Sequence, residues 1–256
     1  MTKLVALVAG AFALAAGGAA QDLPSPAHVV LIVLENKDAS EINARSAPAL
    51  TSLGLRYGRL TNYFAVTHPS LPNYLALVSG STHGITNDCT ACSVDGQSIG
   101  DQLMGGGRSW AAYAEGFPSG ARFAKQHMPF LYFAVGATHV LPLSRFDPHR
   151  LPDFAFVVPN LCHDMHDCSV GAGDAWLGRF VAPLLAVQDA VVFVVFDEGS
   201  RGNHVAAFAL GTAVRPRSAF TGRVGHYGLL RTIEDMFGLP RLGAAKTARP
   251  ITGIWR

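Results

Sequence analysis

Four runs of apolar, mostly β-branched or aromatic residues punctuate this chain, and each is closed abruptly by polar or turn-forming residues. His28–Leu34 ends in Glu35-Asn-Lys-Asp38, Phe154–Val158 in Pro159-Asn160, Ala190–Phe196 in Asp197-Glu-Gly199, and His204–Leu210 in Gly211. Uninterrupted apolarity over so few residues marks strands buried on both faces rather than strands with one wet side. Between the runs lie helical patterns at Ala47–Leu53, Ser70–Val78, Ser98–Met104, Ala172–Leu185 and Tyr227–Phe237. Buried strands alternating with amphipathic helices predict an α/β chain with a largely parallel sheet covered on both sides. Residues 86–150 are less regular, with Gly105-Gly-Gly107, several prolines and scattered aromatics, and read as a surface insertion that walls a site.

The first twenty residues stand apart. Met1-Thr-Lys3 precedes an apolar stretch from Leu4 to Ala16 and then Gly17-Gly-Ala-Ala20, the layout of a secretory signal peptide cleaved before Gln21. That stretch is too short to span a bilayer, and no later run of about 18 apolar residues suggests a transmembrane segment in the mature form. The chain is therefore expected to be exported, to the periplasm or the outside of the cell. The roughly 235 residues that follow suit a single α/β domain, 21–256.

Composition supports a large core: 49% of residues are hydrophobic and only 15% charged. A formal net charge of +2, with basic residues scattered rather than striped, gives no electrostatic reason to expect nucleic-acid binding. The four cysteines are an even count in an exported chain, so disulfides are expected, most simply as the local pairs Cys89–Cys92 and Cys162–Cys168. A Cys-rich zinc site is the rival, weakened because Cys89-Thr-Ala-Cys92 has no matching second pair.

In a parallel sheet, ligands bind beyond the carboxyl ends of the strands, and here the polar residues collect there. Asp197-Glu198 and Glu35-Asn36 put acids at two strand ends, where they repel one another unless a cation intervenes. Cys162-His-Asp-Met-His-Asp-Cys168 adds two imidazoles and two carboxylates within one short loop. Imidazole with carboxylate suits zinc, iron or manganese, whereas the oxygen-rich group of Glu35, Asn36, Asp197 and Glu198 also accepts calcium or magnesium. His226, just before the last helix, is placed for a ligand or for a helix cap. Ser70 lies between Pro69 and Pro72, so a helix begins near it, and its hydroxyl is a candidate nucleophile or an ordinary N-cap. A helix start favours a phosphate or oxyanion, and Asn73 adds a side-chain donor one turn on. Together these groups suit phosphoryl transfer. A Ser-His-Asp acyl hydrolase fits less well, since no G-x-S-x-G elbow is present, and there is no G-x-x-x-x-G-K-[ST] loop.

Five segments resemble one known family. Val33-Leu-Glu-Asn36, His68-Pro-Ser-Leu-Pro-Asn-Tyr-Leu-Ala-Leu-Val-Ser-Gly80, Pro159-Asn-Leu-Cys-His-Asp-Met-His-Asp167, Phe196-Asp-Glu-Gly199 and His226-Tyr-Gly-Leu-Leu-Arg-Thr-Ile-Glu234 are similar to the phosphoesterase family of bacterial acid phosphatases and phospholipase C enzymes. The resemblance implies an alkaline-phosphatase-like three-layer α/β/α sandwich and a phosphoseryl intermediate on Ser70. It implies one or two divalent cations: Glu35, Asn36, Ser70, Asp197 and Glu198 around one, with Asp164, His166 and His226 forming a second site or supplying acid catalysis and phosphate contacts. His127, in Lys125-Gln-His-Met-Pro-Phe130, matches a further family segment and is expected to face the pocket as a catalytic residue. Position 163 is His where the family pattern leads one to expect Asn, which leaves open whether His163 or His166 faces the metal. Gly228 stands where a serine is usual. Thr67 is the rival hydroxyl, disfavoured because Ser70 carries the Leu-Pro-Asn continuation.

The expected function is an exported, metal-dependent phosphoesterase acting on small phosphate esters or on phosphodiesters such as phospholipid head groups. A noncatalytic metal- or anion-binding secreted protein is the alternative from a different class. Sulfate or phosphonate ester hydrolysis is a third reading, but sulfatases of the superfamily use a C/S-x-P-x-R context and Ser70-Leu-Pro-Asn-Tyr74 lacks the arginine.

Overall fold

The computed structural model describes residues 23–256; the expected signal peptide and its cleavage point lie outside the described residues. In chain order the strands are β1 (His28–Leu34), β2 (Gly58–Leu60), β3 (Tyr63–Phe64), β4 (Trp110–Ala114), β5 (Val140–Pro142), β6 (Phe154–Val158), β7 (Ala190–Phe196), β8 (Ala207–Leu210), β9 (Ser218–Phe220) and β10 (Val224–Gly225). The helices are α1 (Pro48–Arg56), α2 (Ser70–Ser79), α3 (Ile99–Gly105), α4 (Val170–Leu184) and α5 (His226–Phe237). All five expected helices form.

Eight strands make the central sheet in the order β5-β4-β6-β1-β7-β8-β2-β9, and β3 pairs with β10 in a two-stranded ribbon. β1, β6 and β7 sit in the middle and are buried along their lengths, as continuous Val, Ile and Phe runs require of strands covered on both faces. Helices α2, α3 and α5 pack together, and α1 packs with α4, giving a three-layer α/β/α sandwich. Every neighbouring pair in the sheet is parallel except β7–β8 and β8–β2, so β8 alone runs the other way. The reason is length: residues 197–206 are too few for a crossover and must fold back as a hairpin. The strand expected from His204 accordingly begins only at Ala207.

Residues 86–150 are not merely a surface insertion. They supply α3 and two strands of the central sheet, β4 pairing with β6 from Trp110↔Phe154 to Ala114↔Val158, and β5 pairing with β4. Trp110-Ala-Ala-Tyr-Ala114 carries no β-branched residue, so its strand state comes from pairing with β6 rather than from local preference.

Register places the functional end. Leu34 lies opposite Phe196, so Glu35 and Asp197 leave the sheet side by side. The Asp164 carbonyl accepts from the Glu35 amide at 2.8 Å, bringing the loop after β6 to the same point.

Candidate active site

The site is built from the ends of β1, β6 and β7 and from the first turn of α2. Ser70 is the first residue of that helix, not its cap: Pro69 holds the cap position, and the buried Ser70 hydroxyl donates to Glu35 Oε2 at 3.2 Å. The N-cap reading of Ser70 is thereby set aside. Thr67, the rival hydroxyl, turns to the neighbouring His68 carbonyl. Glu35 is fully buried, its other oxygen accepts from the Tyr74 hydroxyl, and His127 Nδ1 lies 3.5 Å from Glu35 Oε1 and 3.5 Å from Asp164 Oδ2. Tyr74 stacks on the His127 ring at 5.3 Å between centroids, fixing the imidazole.

Asp197 is also fully buried; its Oδ1 accepts from the Asn36 amide at 3.0 Å. Asn36 adopts φ +53, a left-handed conformation that asparagine tolerates better than most residues, and this turns its amide onto the acid. Gly199 closes the motif for a different reason. A Cβ there would lie 2.5 Å from Asp38 Oδ1, the carboxylate that accepts from Ser200 and Arg201 and ties the β1 exit to the β7–β8 hairpin.

Glu35, Asp164 and Asp197 thus bring three fully buried carboxylates together, and among the described residues no lysine or arginine pairs with any of them. Burial, added to the charges of Asp197 and Asp164, holds the Glu35 carboxyl well above the usual carboxylate range. Burial raises Asp197 too, partly offset by His127 and the Asn36 amide. Glu198 is pushed up to about 7, by burial first and then by Asp197. Three atoms here are buried without a hydrogen-bond partner: His127 Nδ1, Asp164 Oδ2 and Asp197 Oδ2. Buried polar groups are ordinarily paired, so such a group of orphans marks a missing partner.

A divalent cation fits that place. One donor atom each from Glu35, His127 and Asp164 lies within 4.8 Å of the others, and the 3.5 Å separations of His127 Nδ1 from the two carboxylates match the roughly 3.4 Å expected for two ligands at about 2.1 Å on a tetrahedral ion. An imidazole with carboxylates is the donor set of zinc, iron or manganese.

The structure redistributes several expected roles. His127, expected as a catalytic residue facing the pocket, stands at the centre of the cluster, and Asp164 joins Glu35 rather than forming a separate group with His166 and His226. His226 is sealed away from the cluster by bonds to both ring nitrogens: Nδ1 lies 2.9 Å from the Tyr63 hydroxyl and Nε2 2.7 Å from the Asp197 carbonyl. Burial pushes it down to about 4, which favours the neutral imidazole, and in this arrangement both of its nitrogens are engaged behind Asp197. Asn73, expected as a phosphate donor, is likewise engaged within the protein. Its Oδ1 accepts from the Val66 and Thr67 amides, and its Nδ2 donates to Thr67 and Pro69 carbonyls and to Glu198 Oε2, which leaves no donor for a phosphate. Glu198 bonds Asn73 and His68 at the rim of the group instead of joining the three buried acids.

His166 is exposed, with Nδ1 2.7 Å from Asp167 Oδ1 and its ring 5.9 Å from that of His127. His163 turns away onto Glu115, at 2.8 Å, and stacks against Trp176. Of the two imidazoles, His166 is therefore the one beside the cluster. The expected disulfides Cys89–Cys92 and Cys162–Cys168 are both present, the second stapling the loop that carries Asp164. Tyr74, Tyr63, Asp38 and Asn203 were not singled out in the sequence, although Asn203 joins the two halves of the site by accepting from Gly199 and donating to the Thr67 carbonyl. Tyr74 had a local signal, falling one turn after Ser70 on the same helix.

A model of the Phosphoesterase family matches residues 34–240. The chain is 38% identical over 260 residues to a phosphatidylinositol-3-phosphatase of Mycobacterium tuberculosis, across 93% of this chain and 86% of that protein. It is 31% identical over 217 residues to a phosphate-repressible acid phosphatase of Penicillium chrysogenum, across 72% of this chain and 53% of that one, so it spans about half the fungal relative. Among solved structures it is similar to a protein in the alkaline phosphatase superfamily from Vibrio parahaemolyticus, with a TM-score of 0.66 at 13% identity over 89% of this chain and 72% of the other. It is also similar to the C-terminal periplasmic domain of EcEptC from Escherichia coli in complex with Zn, with a TM-score of 0.59 at 10% identity over 91% and 89%. At those identities the structural likeness shows the fold alone.

Proposed function

This chain belongs to the Phosphoesterase family, and on that premise we propose that it is an exported, metal-dependent hydrolase of phosphate esters in which Ser70 attacks phosphorus and is transiently phosphorylated. The observation that carries the reading is the Ser70 hydroxyl bonded to Glu35 beside three partnerless buried donor atoms. A divalent cation held by Glu35, His127, Asp164 and Asp197 would neutralise the buried acids, acidify the serine hydroxyl and offset charge on the phosphoryl oxygens. The protein's own contribution is placement. Glu35 orients the hydroxyl, Tyr74 and Asn36 lock the carboxylates, and α2 directs its positive end at the reacting group. His166, with Nδ1 held by Asp167, keeps Nε2 for the leaving oxygen, the geometry of a general acid. After the alcohol departs with the proton supplied to its oxygen, water cleaves the phosphoseryl bond, restoring the serine hydroxyl and freeing inorganic phosphate.

Export is supported by the apolar leader and by two disulfides that suit an oxidising compartment; no helix of the described residues is long and apolar enough to cross a membrane. Small phosphate monoesters are the proposed substrates, in line with the names of the relatives. The test compares wild type with Ser70→Ala on an aryl phosphate, with and without chelator. Loss of turnover in the variant and after chelation is expected. Undiminished hydrolysis by Ser70→Ala would sink the serine mechanism, and metal bound without hydrolysis of any phosphoester would favour a noncatalytic binding protein.

A further inference from the structure

We propose that Asp88 is a specificity-determining residue: its carboxylate occupies the backbone amide next to Ser70 and must yield that amide to a phosphoryl oxygen of the substrate. The inference rests on the phosphoryl-transfer reading of Ser70.

Leu71 follows the nucleophile, and its N–H is one of the free donors of the first turn of α2. It donates to Asp88 Oδ1 at 2.8 Å, from a residue seventeen positions along the chain. Pro69, at the cap position, offers no side-chain acceptor, so the helix start takes its anion from this distant loop. A carboxylate at a helix start makes the same charge-assisted contact as a phosphate oxygen. Asp88 is thus an internal anion in the place where the substrate's anion would bind. Its side chain is exposed, so it reaches the amide from the open side.

A second unspent group lies in the field of the same carboxylate. The Tyr132 hydroxyl is buried and has no hydrogen-bond partner among the described residues. Burial and then the Asp88 charge push that phenol up to about 12, so the two groups are within electrostatic reach of each other. The same charge also bears on Glu198, though less than burial and Asp197 do.

Competition of this kind weighs on charge. A monoester dianion, or the inorganic phosphate dianion released as product, meets repulsion from Asp88 before it takes the amide, whereas a monoanionic diester meets less. Asp88 accordingly weakens product inhibition and narrows the advantage of monoesters over diesters.

The test uses the full chain with Asp88→Asn, which keeps an oxygen for the Leu71 amide and removes the charge, and Asp88→Ala, which removes both. Inorganic phosphate is the probe, read by calorimetry and as an inhibitor, together with kcat/KM on an aryl monoester and a bis-aryl diester. Both variants are expected to bind phosphate roughly tenfold more tightly and to shift the monoester-to-diester ratio toward the monoester by a similar factor, the scale of one like charge removed from a partly wet site. Phosphate affinity that is unchanged or weaker in Asp88→Asn, with a lowered Tm in Asp88→Ala alone, would make Asp88 a helix cap and overturn the proposal. If wild type hydrolyses neither ester, the phosphoesterase reading fails, while phosphate calorimetry on the same three proteins still decides the role of Asp88.

Discussion

Replacing Asp197 by asparagine should change stability with a sign that depends on metal. In the metal-free protein Asp197 is a fully buried carboxylate whose Oδ2 has no partner and whose neighbours include Glu35 and Asp164, also fully buried. An unsatisfied buried polar atom costs about 1–3 kcal/mol and more when charged. The asparagine side chain would keep the oxygen that accepts from the Asn36 amide, and would put an N–H₂ where the orphan oxygen stood, aimed among acceptors. Removing that unsatisfied acid oxygen should therefore stabilise the metal-free fold by about 1–3 kcal/mol. For a chain of this size that is roughly 2–4 °C in Tm per kcal/mol. With a divalent cation at a thousandfold excess over Kd the order inverts: wild type gains about 4.1 kcal/mol, more than the variant's head start, while the variant lacks one anionic ligand and gains little. Thermal melts of both proteins, dialysed against chelator and then titrated with zinc and with manganese, read the two signs directly. A variant less stable than wild type without metal, or equally stabilised by it, would refute the account of Asp197 as an unpartnered ligand.

Other predictions follow from the same geometry. Asp174 on α4 accepts from the Ala49 and Leu50 amides at 2.9 and 2.8 Å and so caps α1 from outside the helix; Asp174→Ala should cost about 2 kcal/mol in urea unfolding and leave kcat/KM unchanged at permissive temperature. His226, held near 4 against an ordinary 6.5, binds fewer protons folded than unfolded between those values. Its contribution is complete above an ordinary 6.5 and is lost as pH falls toward 4, at up to about 1.4 kcal/mol per pH unit, and His226→Gln should remove that slope from denaturation curves. Glu198 gives the opposite sign in metal-free protein: it holds its proton folded from 4.5 up to about 7, so the fold weakens as pH rises through that window. Glu198→Gln should flatten that decline.

Much of this molecule was legible in the chain. β1, β6 and β7 begin and end where their apolar runs do, because a strand buried on both faces must be apolar throughout and can carry charge only where it leaves the sheet. The same rule put Glu35 and Asp197 at strand ends, hence at one edge of the sheet. β4 was not legible, since three alanines and two aromatics carry little strand preference and their burial depends on pairing with β6. Nor was the direction of β8, which follows from the shortness of the hairpin before it.

Local chemistry in the sequence named candidates at strand and helix ends; only the folded chain decided which of them stand together and what each atom is bonded to. Composition and spacing can name His166, His226 and Asn73 as polar residues near strand and helix ends, and the family resemblance adds His127, but a role depends on which atom is left without a partner. His226 and Asn73 spend their donors and acceptors on Tyr63, the Asp197 carbonyl, the 66–69 backbone and Glu198, whereas His127, Asp164 and Asp197 each keep one buried atom unspent. Saturation is a property of three-dimensional neighbours separated by tens of residues, and no pattern along the chain encodes it.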